Sequence, residues 1–529
     1  MFRRRDFLKA LAAAPLVQPI APAFADSGQR VALAIGNNAY QGSPLINPVN
    51  DARAVADLLR TAGFSTEVQT DATLQTMGGA IERFGAAVRR GETKLAVFYY
   101  AGHGAQVDWK NYLLPVDARV RNTGELKSRC LDLSVVLQHF AQTRDKTFIV
   151  ILDACRDNPF GAEYRPDNKG LSQFDAPVGS LLAYATAPGS VALDGDGANG
   201  LYTANLVREL AVPGTGIEDC LKRVRLNVRL ASRGVQIPWE STSLEERVFM
   251  FPQGRKKLSE EEIEQQFSEE LATWNRIKAS QTVDDWVAYL KAYPNGRFSE
   301  VAQARLTRLL APVERRSGNV GKGATKAVEL KAGVQAGPLF QPSANPYSAG
   351  THPLGRNFTV GDQAVYRRSD LLTGNEEGTH ASKVTRVDPD NDWVEFNGGK
   401  AATDLLGNPI KSPQRVFDGP LQFFPAELQI GKKWQARMTM TGQRGGRADV
   451  EFDVKVVALE KVSVPAGEFQ TFHIEASGWN VTAGKRLERH FWVVPGLNFH
   501  IKAERTARDR RGALVETERD ELISLRQAG

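Results

Sequence analysis

The chain has 529 residues, 42% of them hydrophobic and 24% charged, with a formal net charge of +6. That length excludes a single ordinary core and points to two or three domains of globular composition. Half of the excess positive charge falls in the first 25 residues (Arg3, Arg4, Arg5 and Lys9 against Asp6), so the rest is too weakly basic to argue for a nucleic-acid partner.

The N-terminus reads as a targeting segment. Arg4-Arg5-Asp6-Phe7-Leu8-Lys9 resembles the twin-arginine export signature, an Ala-rich stretch runs from Ala10 to Pro22, and Ala23-Phe24-Ala25 fits a small-x-small cleavage site. Residues 1–25 are expected to be a signal peptide and the mature protein periplasmic or secreted; the other reading is a frayed basic tail. The apolar run is short and holds Pro15, Pro19 and Pro22, and no later segment has the length or apolarity of a membrane span, so no integral membrane segment is expected in the mature chain.

Residues 26–252 alternate between strand and helix patterns. Apolar runs at Val31–Ile35, Lys94–Tyr100, Thr147–Leu152 and Ser180–Tyr184 read as buried strands, with Ser65–Gln69 a further strand and Arg247–Phe251 a candidate sixth. Helical spacing marks Asn50–Ala62, Leu74–Arg90, Leu133–Gln142, Leu201–Leu210 and Ile217–Ser232. Such alternation predicts an α/β fold, a mainly parallel sheet with helices on both faces.

Residues 253–312 are purely helical in pattern: Ser259 with Glu262 forms a capping box, and Phe267, Leu271, Trp274 and Ile277 make one apolar stripe. Trp274 and Trp286 read as helix core rather than ligand platforms. Residues 313–355, rich in Gly, Ser, Pro, Ala and Lys, read as a flexible linker. Residues 356–529 alternate with period two, as at Val450, Phe452, Val454 and Val456, and predict a separate antiparallel β domain. It is a candidate site for an envelope protein partner.

Three cysteines, Cys130, Cys155 and Cys220, are too few for a disulfide scaffold. A Cys130–Cys220 bridge stays open, and Cys155 is the thiol of interest. The histidines His139, His352, His380, His473, His490 and His500 have no metal-ligand spacing and read as surface or satisfied core residues.

Two loops carry the chemistry. One strand runs into Tyr100-Ala101-Gly102-His103-Gly104, the other into Asp153-Ala154-Cys155-Arg156-Asp157. In an open parallel sheet, ligands bind beyond the C-terminal strand ends, so His103 and Cys155 belong on one rim. A thiol needs a base or a positive neighbour to act as a nucleophile, and His103 supplies one and can protonate the leaving amine. The backbone N–H groups of Gly104 and Cys155 are candidate oxyanion donors.

The two motifs, in this order and spacing, resemble those of the caspase/metacaspase cysteine peptidases, over about residues 29 to 252. Leu45-Ile46-Asn47-Pro48-Val49-Asn50-Asp51-Ala52, Ala183-Tyr184-Ala185-Thr186-Ala187-Pro188-Gly189, Asp194-Gly195 and Asn199-Gly200 add to the resemblance. It implies cysteine-type endopeptidase activity on protein or peptide substrates, with Cys155 and His103 as the catalytic dyad. It also implies that Asp51 and Asp153 line the pocket for the residue before the cleaved bond. Two carboxylates there favour Arg or Lys and disfavour Asp. Ala101 and Pro48 stand where metacaspases often have Ser and Cys, which removes some polar lining. Arg156, Arg165 and Lys169 offer sites for self-cleavage, against the plainer reading of solvated loop charges. Some members of the family need calcium; no acidic cluster here has a ligand pattern, so no metal and no other cofactor is expected. The alternative from another class is a caspase-fold scaffold, weak or inactive, whose binding work is done by the second half of the chain.

Overall fold

The structure is a computed structural model that describes residues 30–528 except 142, 144, 156–159, 161–163, 165–170, 188–196, 252–258, 317–326, 333–338, 420 and 444. The signal-peptide reading, the loop residues Arg156, Arg165 and Lys169, and Pro188, Gly189, Asp194 and Gly195 lie outside the described residues.

The first part runs β1 (Arg30–Gly36), α1 (Pro48–Thr61), β2 (Ser65–Thr70), α2 (Leu74–Arg89), β3 (Leu95–Val107), β4 (Lys110–Leu113), α3 (Thr123–Arg129), β5 (Leu131–Asp132), α4 (Leu133–Ala141), β6 (Thr147–Cys155), β7 (Ser180–Tyr184), α5 (Leu201–Leu210), α6 (Ile217–Ala231) and β8 (Trp239–Thr242). The main sheet has the order β2-β1-β3-β6-β7-β8, parallel throughout except for β8, which pairs antiparallel with β7. Both faces are covered. Val31, Leu33 and Ile35 pack toward Met77 and Phe84 of α2, while Ala32 and Ala34 pack toward Val55 and Leu59 of α1. That is why these strands are continuous apolar runs rather than alternating ones.

Two expectations change here. The third strand does not stop at Tyr100 but carries on to Val107 and folds back as β4 through Asp108 and Trp109, both at positive φ (50° and 65°), as a two-residue hairpin turn demands. Arg247–Phe251 is not a strand: Phe249 makes one isolated bridge to Gly216, and the sheet edge is formed by β8 instead. Cys130 and Cys220 are both free and buried, the first beside Tyr112 and Leu126, the second beside Ile217 and Val224, so they form no bridge. Burial pushes both thiols up to about 12, which leaves them protonated and inert.

Next come α7 (Glu260–Ile277), α8 (Val283–Ala292) and α9 (Ser299–Arg316). The capping box forms: Ser259 Oγ accepts the Glu262 N–H at 3.2 Å and the Glu262 carboxylate accepts the Ser259 N–H at 2.8 Å. Trp274 stacks on Phe298 at 4.8 Å and meets Trp286 edge-on at 5.8 Å, so both tryptophans are core.

The rest is β: β9 (Val328–Leu330), β10 (His352–Pro353), β11 (Gln363–Asp370), β12 (Glu376–Asp388), β13 (Trp393–Phe396), β14 (Ala401–Thr403), β15 (Pro409–Ser412), β16 (Arg415–Phe417), β17 (Glu427–Leu428), β18 (Lys433–Gly442), β19 (Arg447–Val464), β20 (Gly467–Asn480), β21 (Lys485–Val493), β22 (Lys502–Arg508) and β23 (Leu514–Gln527). Strand β11 pairs with both β12 and β23, which closes the antiparallel sheet into a barrel-like domain and removes its edges. Val450, Phe452, Val454 and Val456 face inward, in one core with Phe472, Phe491, Trp274 and Trp286. Among the described residues no helix is long and apolar enough to cross a membrane.

The 313–355 segment is not a free tether. It contains the end of α9 and strand β9, and residues 345–351 are hydrogen-bonded to the first domain. Asn345 Nδ2 donates to Ser172 Oγ (3.1 Å) and to the Gln173 carbonyl (2.5 Å), the Asp175 N–H donates to the Tyr347 carbonyl (2.9 Å), and Trp239 Nε1 donates to Thr351 Oγ1 (2.9 Å). Asn, Ser and Thr in irregular backbone satisfy another segment's polar groups as readily as water's, which composition alone cannot distinguish.

Candidate active site

Strands β3 and β6 run side by side, and the last two pairs of their register are Gly102–Ala154 and His103–Cys155. The two motif residues are therefore direct neighbours across the ladder, at the C-terminal rim. Gly104 lies one residue beyond the last pair and opposite Leu113 of β4. The Leu114 N–H bonds the His103 carbonyl at 3.1 Å, and since antiparallel pairs alternate, β4 does not take the Gly104 N–H.

Both glycines of the motif sit in close quarters. Gly102 has φ 152°, and a Cβ there would meet Tyr40 Oη at 2.5 Å and Tyr100 Oη at 2.7 Å. A Cβ on Gly104 would come to 2.8 Å from Leu171 Cδ2.

His103 is only 3% exposed and is held from several sides. Its N–H donates to Tyr40 Oη at 3.0 Å, its carbonyl accepts from Tyr100 Oη at 2.6 Å, and its ring packs 4.5 Å from the Tyr40 ring. Its Nε2 lies 2.8 Å from the Ser43 carbonyl and 3.3 Å from Ser43 Oγ. A carbonyl only accepts, so Nε2 carries the hydrogen, and Nδ1 of the neutral ring is the basic atom. Tyr40 and Ser43 belong to the loop after β1 and had no sequence signal.

The carboxylates converge on the start of α5. Asp51, on α1 and 3% exposed, accepts through Oδ1 from Asn199 Nδ2 (2.9 Å) and from the N–H of Gly200 (3.0 Å), the residue that caps α5. Asp153, near the end of β6, accepts from Thr203 Oγ1 at 2.6 Å, and Thr203 Oγ1 is 2.7 Å from Tyr99 Oη. Burial, then the charges of Asp153 and Asp51, push the Tyr99 hydroxyl well above its ordinary value, so both carboxylates act on one point. Asn199 was noted in the sequence and Thr203, in the first turn of α5, was not.

A parallel sheet covered by helices, with a His and a Cys at adjacent strand ends, defines a caspase-like domain. The family model described as the caspase domain matches residues 29–249. The human (Homo sapiens) mucosa-associated lymphoid tissue lymphoma translocation protein 1 is 28% identical over 166 residues, 31% of this chain and 19% of that protein, and its homologue in Mus musculus matches to the same extent. The chain thus spans about a fifth of the length of the curated relatives it matches. A crystal structure of the Drosophila initiator caspase Dronc covers 42% of this chain and 83% of its own, at 16% identity and a TM-score of 0.31. Residues 29–249 are thus similar to the caspase domain family.

Proposed function

We propose that the chain is an exported cysteine endopeptidase, metacaspase-like in specificity, that cleaves after Arg or Lys. The observation that carries this reading is the β3–β6 register, which pairs His103 with Cys155 at the C-terminal strand ends. In the proposed cycle, His103 Nδ1 takes the Cys155 thiol proton and the thiolate adds to the scissile carbonyl. The N–H groups of Gly104 and Cys155 hold the resulting oxyanion. Collapse of the adduct breaks the C–N bond, and the proton on His103 goes to the leaving amine. Water, deprotonated by His103, then cleaves the acyl-enzyme and restores the thiol.

Specificity follows from charge. Asp153 is only partly buried, and Asp51 is buried, with Oδ1 committed to the α5 N-terminus. A basic side chain meets two negative charges there, and an acidic one is repelled. The test uses protein lacking residues 1–25 on fluorogenic peptides with Arg, Lys or Asp before the cleaved bond, beside Cys155→Ala. Turnover after Arg and Lys that disappears in C155A is expected. Turnover that survives in C155A, or none in the parent with or without calcium, would sink the peptidase reading and favour a scaffold; faster cleavage after Asp would refute the pocket argument alone. Asp153→Asn should lower kcat/KM for Arg and Lys substrates by about ten- to a hundredfold, the worth of one hydrogen bond to a charged group.

A further inference from the structure

The outer face of the barrel holds a second cluster of chemically active side chains, far in sequence from the dyad. Strands β20 and β21 pair Glu475 with His490 and His473 with Trp492. Their neighbours Phe472, Ile474, Ala476 and Phe491 are in the barrel core, so His473, Glu475 and His490 are turned outward. His473 Nε2 is 3.0 Å from His490 Nδ1, and Glu475 Oε1 is 4.0 Å from the first and 3.8 Å from the second.

We propose that His473, His490 and Glu475 form a binding site for a divalent transition-metal ion of the zinc class. The geometry around His473 supports this. Its Nδ1 lies 3.2 Å from Glu460 Oε1 on β19, a carboxylate neighbour that favours the tautomer with the hydrogen on Nδ1 and the Nε2 lone pair toward His490. A ligand histidine oriented by a carboxylate on its other nitrogen is the usual support of a protein metal site. Glu460 is itself fixed by Trp492 Nε1, which donates to the same oxygen at 2.6 Å, and the Trp492 ring stacks on His473 at 4.4 Å and 14°. The His473 ring is thus aimed and immobilised before any ion arrives.

An ion about 2.05 Å from each nitrogen would subtend roughly 94° at the observed N···N separation, and widening that separation by about 0.3 Å gives a tetrahedral angle. Glu475 must close by about half an ångström, which its flexible, partly exposed side chain allows. Two imidazoles and one carboxylate suit zinc, cobalt or nickel rather than the all-oxygen shells of calcium and magnesium. The solvent side stays open to a fourth ligand, water or a donor from a bound molecule. The sequence concealed this site because the histidines are 17 residues apart on two strands, a spacing that matches no single-element motif.

The test is titration of the full chain with Zn2+ alone, in a Cys155→Ala background so that the dyad's thiol contributes no binding. One ion should bind with micromolar or tighter Kd, raise the unfolding midpoint, and exclude Ca2+ and Mg2+ as competitors. Co2+ should give the intense visible bands of a four-coordinate site. H473Q, H490Q and E475Q should each weaken binding at least tenfold, and E460Q, which removes only the carboxylate behind His473, by about ten- to a hundredfold. H490Q, at a partly exposed position, should keep the parent's circular dichroism and its midpoint without metal. Absence of binding at 100-micromolar Zn2+ (an order-of-magnitude ceiling for a built site), or binding that all three ligand substitutions leave unchanged, overturns the proposal.

Discussion

At the His103 ring, orientation comes from a tyrosine 63 residues earlier in the chain. Tyr40 Oη accepts the His103 N–H and donates to the Leu114 carbonyl at 3.0 Å. In Tyr40→Phe the ring still packs on His103, and Leu114 O keeps the Asn37 amide at 3.0 Å, so the loss falls on the buried His103 N–H. That should cost about 1–3 kcal/mol of stability. Because the proposed dyad needs a defined separation, kcat should fall roughly ten- to a hundredfold with KM little changed. Ser43→Ala keeps the main-chain carbonyl that holds Nε2 and should stay within about twofold of wild type. Steady-state kinetics on an Arg substrate checks both, and a Ser43→Ala loss as large as that of Tyr40→Phe would refute the assigned roles. The pairing of His103 with Cys155 was legible because both sit in short motifs with few other uses. Tyr40, Ser43 and Thr203 were not, since a tyrosine, a serine and a threonine occur in any chain and only the fold brings them to the rim.

Among the elements, long periodic helices and fully buried strands were readable, and departures cluster where an element's neighbours decide. Strand β7 and helix α5 have the bounds their patterns imply, whereas β8 has only four residues and no alternation to announce it. Strand β3 runs on through a Gly-flanked histidine because β4 offers it a partner. The largest departure is the 345–351 strap. It grips Ser172, Gln173 and Asp175, just after Leu171, whose side chain lies against Gly104. Ser172 is clamped from its other side by Asn111, with an N–H···Oδ1 bond of 2.6 Å and an Nδ2–H···O bond of 2.8 Å. The β half of the chain therefore braces the segment that returns from Cys155. Asn345→Ala removes two donors to that segment and should cost about 1–3 kcal/mol. Amide exchange at residues 172–175 should quicken while the strands of the barrel keep their protection. Unchanged exchange at 172–175 would show that the strap is passive.

For the whole molecule, the helices and the barrel share one core, so acid stability of the barrel is stability of the second half of the chain. His500 is a buried pH-sensitive group of that half. It is stacked on Tyr366 at 4.7 Å, its Nε2 has no hydrogen-bond partner among the described residues, and burial, followed by the charge of Arg505, pushes it down to about 3. The folded state thus resists a proton that the unfolded chain takes up near the ordinary histidine value of 6.5. The contribution is fully present above that value and is lost as pH falls through the window down to about 3, by about 1.4 kcal/mol per pH unit. Asp520, held down to about 2 by Arg368 and Arg505 despite burial, adds an acid loss of the same sign only below its ordinary 3.8. Asp404 works oppositely: burial raises it to about 7, so its contribution fades as pH rises between 3.8 and that value and offsets part of the His500 slope. His500→Phe keeps an aromatic ring against Tyr366 and deletes an unsatisfied polar atom, so at neutral pH it should lie within about 1 kcal/mol of wild type. At about pH 5 it should be the more stable protein by about 2 kcal/mol, since the Asp404 slope is common to both and cancels in the difference. Urea unfolding followed by tryptophan fluorescence from about pH 4.5 to 7.5 measures that difference, and parallel curves for the two proteins would show that His500 titrates normally.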